Sequence, residues 1–247
     1  MVPLTRHGWR EMLIGTVVLA VTAVGLGYVW WPLALLTVPV LVWLLAFFRD
    51  PERRVPSEQL AIVSPADGKV SDVTDVEHDP ILGEPAVRVG IFLSVFNVHV
   101  NRAPCDGRVV DVRYKEGKFL NAMNHGGASD QNESNTVVLA EPGGDRPVMV
   151  VKQIVGLIAR RIVCTVRPGD VVARGDRIGM IKFGSRTELT IARRLNPTVH
   201  VKPGDVVRGA SDVIATLGNP IHTTTPAAKS DAAADELEPV VGRETPA

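Results

Sequence analysis

The chain has 247 residues, with 27 basic and 27 acidic side chains and therefore no net charge. That balance lacks the basic excess of a nucleic-acid binder, so no nucleic-acid partner is expected. Aromatic content is only 5% while valine is frequent, which favours a β-rich soluble part over a helical bundle.

The first element is an almost uninterrupted apolar run from Met12 to Phe48, broken by Gly25-Leu26-Gly27-Tyr28 and Trp30-Trp31-Pro32. One membrane-spanning helix needs about 20 apolar residues. This run is nearly twice as long and carries turn formers and interfacial aromatics at its middle. It predicts a two-helix transmembrane hairpin over residues 1–49, with the Trp pair at the far membrane surface. Arg6 and Arg10 precede the run; Arg49, Arg53 and Arg54 follow it. Basic residues at both ends place both on the cytoplasmic side of the cell membrane. A cleaved signal peptide is the main competitor, but it leaves the second apolar half unexplained.

From about Ile62 to Leu217 short valine-rich segments alternate with Gly, Pro and Asp, and residues 50–220 form the expected catalytic domain. Two internal echoes stand out. Asp67-Gly68-Lys69-Val70-Ser71-Asp72-Val73 resembles Asp106-Gly107-Arg108-Val109-Val110-Asp111-Val112, and Pro168-Gly169-Asp170-Val171-Val172 resembles Pro203-Gly204-Asp205-Val206-Val207. Each is a Gly-bearing turn opening a half-buried strand. The expected fold is mainly β, a barrel-sandwich of the lipoyl- or biotinyl-carrier kind, with a short helix over Lys115 to Asn124. Cys105 and Cys164 are too few and too far apart for a zinc finger and read as small buried hydrophobes. Residues 221–247, rich in Thr, Ala, Pro and Glu, read as a disordered tail.

Phe183-Gly184-Ser185-Arg186-Thr187 follows a predicted strand over Arg177 to Lys182. Taken alone, a Gly-Ser pair after a strand is an ordinary turn. Likewise, Asp67 alone reads as a turn aspartate before glycine. His99 alone reads as a packed strand residue.

From about Arg49 to Leu217, however, the chain resembles the short-form phosphatidylserine decarboxylases. The ordered blocks that carry the resemblance include Arg49-Asp50-Pro51-Glu52-Arg53, Ser64-Pro65-Ala66-Asp67-Gly68, Phe96-Asn97-Val98-His99-Val100-Asn101-Arg102-Ala103-Pro104, Gly117-Lys118-Phe119-Leu120-Asn121-Ala122, Glu133-Ser134-Asn135, Gln153-Ile154-Val155-Gly156 and Gly179-Met180-Ile181-Lys182-Phe183-Gly184-Ser185. The resemblance implies self-cleavage between Gly184 and Ser185, giving a β chain ending at Gly184 and an α chain opening on a pyruvoyl group made from Ser185. The chemistry suits the residue types. A serine hydroxyl reaches the preceding carbonyl to turn amide into ester, and glycine leaves that carbonyl unhindered. β-Elimination and hydrolysis then leave the pyruvoyl group and ammonia. No metal or external cofactor is implied.

The resemblance also assigns roles. Asp67 is the general base for serine attack, and His99 assists proton transfer during decarboxylation. Longer family members carry a second histidine three residues on, where this chain has Arg102; His125 and His200 are candidates to fill that gap. Asn121, His125 and Asn135 lie in a stretch expected to contact the substrate head group. The partners implied are a phospholipid, the membrane, the chain's own cleaved halves and a higher oligomer. Phosphatidylserine and its ether-linked archaeal counterpart both remain open as substrates. Two other classes fit less well. A zinc peptidase needs His-x-His where this chain reads His99-Val100-Asn101. A carrier module needs an acceptor lysine on a hairpin tip, and Lys182 sits in an apolar strand.

Overall fold

The structure is a computed structural model and describes residues 3–120, 131–141, 143–156, 161–182 and 185–219. The N-terminal apolar run folds as helices: α1 (Trp9–Val29), a single turn α2 (Trp31–Ala34) and α3 (Thr37–Phe47). Trp30, in extended conformation, ends α1, and Pro32 sits in the first turn of α2, where its missing N–H costs nothing. α3 returns along α1, with Gly15 against Leu44: a Cβ at Gly15 would lie 2.5 Å from the Leu44 side chain. No residue of α1 is buried, although Val17, Val21, Val24 and their neighbours are apolar all round. α1 is thus apolar round most of its surface and exposes most of that surface, apart from its contact with α3. The stretch Arg6–Val29 is long and apolar enough to cross a membrane; Trp31–Phe47 is shorter.

The remainder is mainly β. The strands are β1 (Ala61–Val63), β2 (Gly68–Asp79), β3 (Glu84–Leu93), β4 (Val100–Arg102), β5 (Gly107–Lys115), β6 (Ser134–Ala140) and β7 (Pro147–Val155), followed by β8 (Arg161–Cys164), β9 (Val171–Val172), β10 (Arg177–Lys182), β11 (Ser185–Ala192), β12 (Pro197–Val199), β13 (Val206–Val207) and β14 (Val213–Leu217). They build an antiparallel, curled sheet in the order β13-β2-β3-β11-β7-β6-β5-β9, flanked by the three-stranded sheets β1-β14-β12 and β4-β10-β8. Alternate residues such as Ile91, Leu139, Val151 and Leu189 fill the space enclosed.

The internal echoes have a structural meaning. At one edge of the large sheet Val206 pairs with Lys69 and Val207 with Gly68; at the other Val171 pairs with Arg108 and Val172 with Gly107. Val70 donates to Asp205 O (2.8 Å) as Val109 donates to Asp170 O (2.8 Å). Gly204 and Gly169 hold φ of +103° and +98°, a region open to glycine at no steric cost. The sheet is therefore two similar halves meeting between its central strands β11 and β7.

One expectation fails. Lys115 ends β5, and no helix follows it through residue 120; residues 121–124 lie outside the described residues. The reason is Asn132. Its side chain accepts from Leu120 N (2.9 Å) and donates to Leu120 O (2.8 Å), satisfying in a loop the groups a helix would have used internally. Gly117 permits this approach, since a Cβ there would lie 2.5 Å from the backbone of residues 131–133. The expected tail also lies outside the described residues.

Gly179, where β10 lies between β4 and β8, is a closer approach than that at Gly117. A Cβ would sit 2.2 Å from Val163 O and 2.9 Å from Gln153 Nε2. Gly179→Ala is expected to destabilise the domain by about 1–3 kcal/mol, read as a lower urea midpoint at unchanged slope.

Candidate active site

Ser185 opens β11 at the middle of the large sheet, opposite Leu93 on one side and Val155 on the other. It is fully buried, and its Oγ has no hydrogen-bond partner among the described residues. A buried hydroxyl left this way costs about 1–3 kcal/mol. A group of this kind calls for an explanation, and a catalytic role is one of the recognised ones.

The face of β11 that carries Ser185 also carries Thr187, and beside it runs a row of buried amides. Thr187 lies opposite Gln153 on β7, and Gln153 lies opposite Asn135 on β6. Asn135 Nδ2 donates to Gln153 Oε1 (3.0 Å), Gln153 Nε2 to Asn101 Oδ1 (2.9 Å), and Asn101 Nδ2 to Thr187 Oγ1 (2.9 Å). Donation runs one way along the chain and ends on the Thr187 hydroxyl, which keeps its own proton to donate roughly 7 Å along the strand from Ser185. On the opposite face Arg186 is buried against Glu188 (2.9 Å) and Asp72 (2.6 Å). A Cβ at Gly90 would lie 2.1 Å from the Arg186 guanidinium, so glycine is required there.

Asp67 lies just before β2, at the same end of the sheet. Lys69, two residues on, pairs with Phe92, which in turn pairs with Arg186. Asp67 and Ser185 thus flank β3, with two strand spacings of about 10 Å between their backbones, and they share no hydrogen bond. Arg53 Nη2 holds both Asp67 oxygens (2.9 and 2.8 Å), and Gly209 N donates to Oδ1 (2.8 Å). The last contact repeats in the other half of the sheet, where Arg174 N donates to Asp106 Oδ1 (2.8 Å). As the residue type suggests, Asp67 is a turn aspartate. The arginine clamp is what sets it apart from Asp106.

His99 directly precedes β4 rather than lying inside it, and it is fully buried. Its ring lies 4.3 Å from that of Phe47 at the end of α3, and Nδ1 is 3.0 Å from Asn97 O. A carbonyl only accepts, so Nδ1 carries the proton and Nε2 is the basic nitrogen. Burial pushes the His99 pKa down to about 4, opposed by the Asn97 carbonyl and assisted by Arg49. The imidazole is neutral at pH 7.

Arg102, at the place of the second histidine in longer family members, is no proton acceptor. It donates to Asp50 (2.6 Å) and to the carbonyls of Gly175 and Pro51 (both 3.1 Å), tying the segment after α3 to the β domain. His200 does not fill the gap either: it bonds Thr216 Oγ1 (2.7 Å) on the small β1-β14-β12 sheet. Gly184, Asn121 and His125 lie outside the described residues. Asn135 is buried in the amide row, not in a surface loop. Lys182 is buried and ion-paired, which does not suit an exposed carrier lysine. Cys105 and Cys164 are free thiols, and burial pushes Cys105 up to about 12, as expected of a packing residue. Sequence reasoning missed Asn101, Gln153 and Thr187 as a unit. A glutamine inside the strand Val148-Met149-Val150-Val151-Lys152-Gln153-Ile154-Val155 was the available signal.

The chain thus combines a mainly β domain built on a curled sheet, an apolar helical N-terminus and a buried serine at the opening of a central strand. A family model described as phosphatidylserine decarboxylase matches residues 40–215. The chain is 48% identical over 213 residues to a phosphatidylserine decarboxylase proenzyme of Rhodopirellula baltica, covering 86% of this chain and 88% of that one. Proteins of the same name from Ralstonia nicotianae (42% over 216 residues; 87% and 95% covered) and Carboxydothermus hydrogenoformans (46% over 185; 75% and 84% covered) are also similar. The chain belongs to the phosphatidylserine decarboxylase family and is a decarboxylase.

The buried neutral His99 makes stability depend on pH. Its folded pKa lies below the unfolded value of 6.5, so the unfolded chain binds the extra proton as pH falls. Stability is lost between pH 6.5 and 4, by up to about 3 kcal/mol from this group. His99→Gln should flatten the fall in melting temperature across that window; an unchanged slope would show that His99 titrates normally.

Proposed function

We propose that the protein decarboxylates phosphatidylserine to phosphatidylethanolamine with a pyruvoyl group that it makes from Ser185 by cutting its own Gly184–Ser185 bond. The observation that carries this reading is the buried, unpartnered Ser185 Oγ at the opening of β11. A buried hydroxyl that no described group engages is available to its own backbone.

In the first step Ser185 Oγ attacks the Gly184 carbonyl carbon. The C–N bond breaks, the nitrogen takes a proton, and an ester replaces the amide. Loss of the Cα proton of residue 185 then expels the Gly184 carboxylate. Water hydrolyses the resulting dehydroalanine end to a ketone and ammonia. Asp67 is the acceptor for the serine proton in this reading, either after Arg53 releases it or through a bridging water, since β3 separates the two. The Thr187 hydroxyl, backed by Asn101, Gln153 and Asn135, is a fixed donor for a polar group of a bound substrate, about 7 Å along the strand from residue 185.

The residues present fit the pyruvoyl group: a dry site, a donor row along one face and a neutral histidine at the same end of the domain. Once formed, the ketone supplies the electron sink for the pair left when carbon dioxide departs. His99 keeps its Nδ1 proton on Asn97 O and takes up or returns a proton at Nε2. A phospholipid substrate is supported by the bare apolar helices and by Arg6, Arg10, Arg49 and Arg54 at their base. Those basic residues favour insertion with the β domain on the cytoplasmic face.

The test is phosphatidylethanolamine formation from phosphatidylserine vesicles. Wild type should produce it and Ser185→Ala should not; equal production by both would sink the reading. Asp67→Asn is expected to slow self-cleavage by roughly 100-fold or more, whereas cleavage at the wild-type rate would remove Asp67 from the step.

A further inference from the structure

We infer that the helical anchor is part of the self-processing apparatus: Glu11 in the first turn of α1, acting through Lys182, positions the strand that leads into Ser185. This deepens the proposed self-cleavage and rests on it.

Lys182 is the last residue of β10, three positions before Ser185. Its ammonium group is drawn into the interface between the β domain and the helices, where the side chain is only 6% exposed, and it meets Glu11 Oε1 at 2.5 Å. A buried lysine without its counter-charge would swing toward water or draw in another partner. Either change would move the end of β10. Residue 184 lies within about 7.6 Å of Lys182, two Cα spacings, so a shift at Lys182 is passed on to the bond that must be attacked.

A second contact from the anchor holds the same three residues. Phe47 and Phe48 pack on Met180 and Val163, and the Phe47 ring also covers His99. The His99 carbonyl accepts from Ile181 N at 3.2 Å, and Val100 pairs with Met180. Residues 180–182 are therefore braced by α1 at one end and α3 at the other. The base of the hairpin is itself closed: Thr5 N donates to Phe48 O and Asp50 N to Pro3 O, both at 2.8 Å. A passive tether needs no buried ion pair at this position. With the brace, the Gly184–Ser185 bond is presented only once the helices are seated, so anchor folding precedes maturation.

The full-length chain, expressed with membranes, tests this by the rate at which intact protein becomes two fragments. Wild type and Ser185→Ala set the limits; a wild type that is never cut would overturn both this inference and the reading it rests on. Glu11→Gln and Lys182→Met should each slow conversion at least about tenfold, because small misplacements of a reacting group cost that much or more. The exchange Glu11→Lys with Lys182→Glu should recover most of the rate. Melting temperatures are measured on the same changes in the uncleavable Ser185→Ala background. Wild-type cleavage in the single variants would overturn the inference alone. So would slowed cleavage that the exchange fails to rescue and that follows the loss of melting temperature, since the pair would then be structural only.

Discussion

A buried serine hydroxyl with no hydrogen-bond partner among the described residues, at the opening of the central strand of a sheet, is the constraint around which this molecule is organised. Desolvating it costs free energy that folding must supply elsewhere. The sheet supplies it by pairing β11 on both edges over its whole length and covering both faces. The polar groups nearest the serine are satisfied among themselves. Thr187 closes on the amide row, and Arg186 closes on Glu188 and Asp72. With those groups spoken for, nothing along β11 reaches back to occupy Ser185 Oγ.

The two-halved sheet shows how such a site arises from a symmetric scaffold. Asp67 and Asp106 occupy equivalent turns and accept equivalent backbone N–H groups. What differs is the company each keeps. Asp67 faces Arg53, which the segment leaving the anchor brings in, and it lies at the end of the sheet where β11 opens. Asp67 thus keeps its turn contact with Gly209 N and adds an ion pair with Arg53. Arg102 shows the converse: at a position where longer family members carry a histidine, this chain has an ion pair with Asp50 that fastens the anchor segment to the domain.

Much of the architecture was legible in the residue pattern because it rests on local rules. The strand Arg177–Lys182, the Gly turns and the echoed Asp-Gly and Pro-Gly-Asp segments follow from alternation and turn chemistry. The apolar run with Trp30-Trp31-Pro32 at its middle likewise announces two helices. The Lys115 to Asn124 helix was misread because Asn132, twelve residues beyond Leu120, captures the backbone there. The amide row was missed for the same reason: Asn101, Gln153 and Asn135 become a unit only when β4, β7 and β6 meet. Ser185, Asp67 and His99 are singled out in the sequence by family blocks alone, and the Arg53 clamp and the Phe47 cover depend on long-range placement that no local pattern encodes.

The helices and the chemistry are joined at one place. The base of the hairpin packs on β10 and His99, so the apolar helices and Ser185 belong to the same end of the molecule. The account stands or falls on whether Ser185 becomes a new chain terminus. The direct measurement is the intact mass of the purified protein beside its Ser185→Ala variant. The account predicts two fragments divided after Gly184, the second lighter than a serine-initiated chain by about the mass of one ammonia, with the variant remaining whole. A wild type that persists as one full-length chain would contradict it.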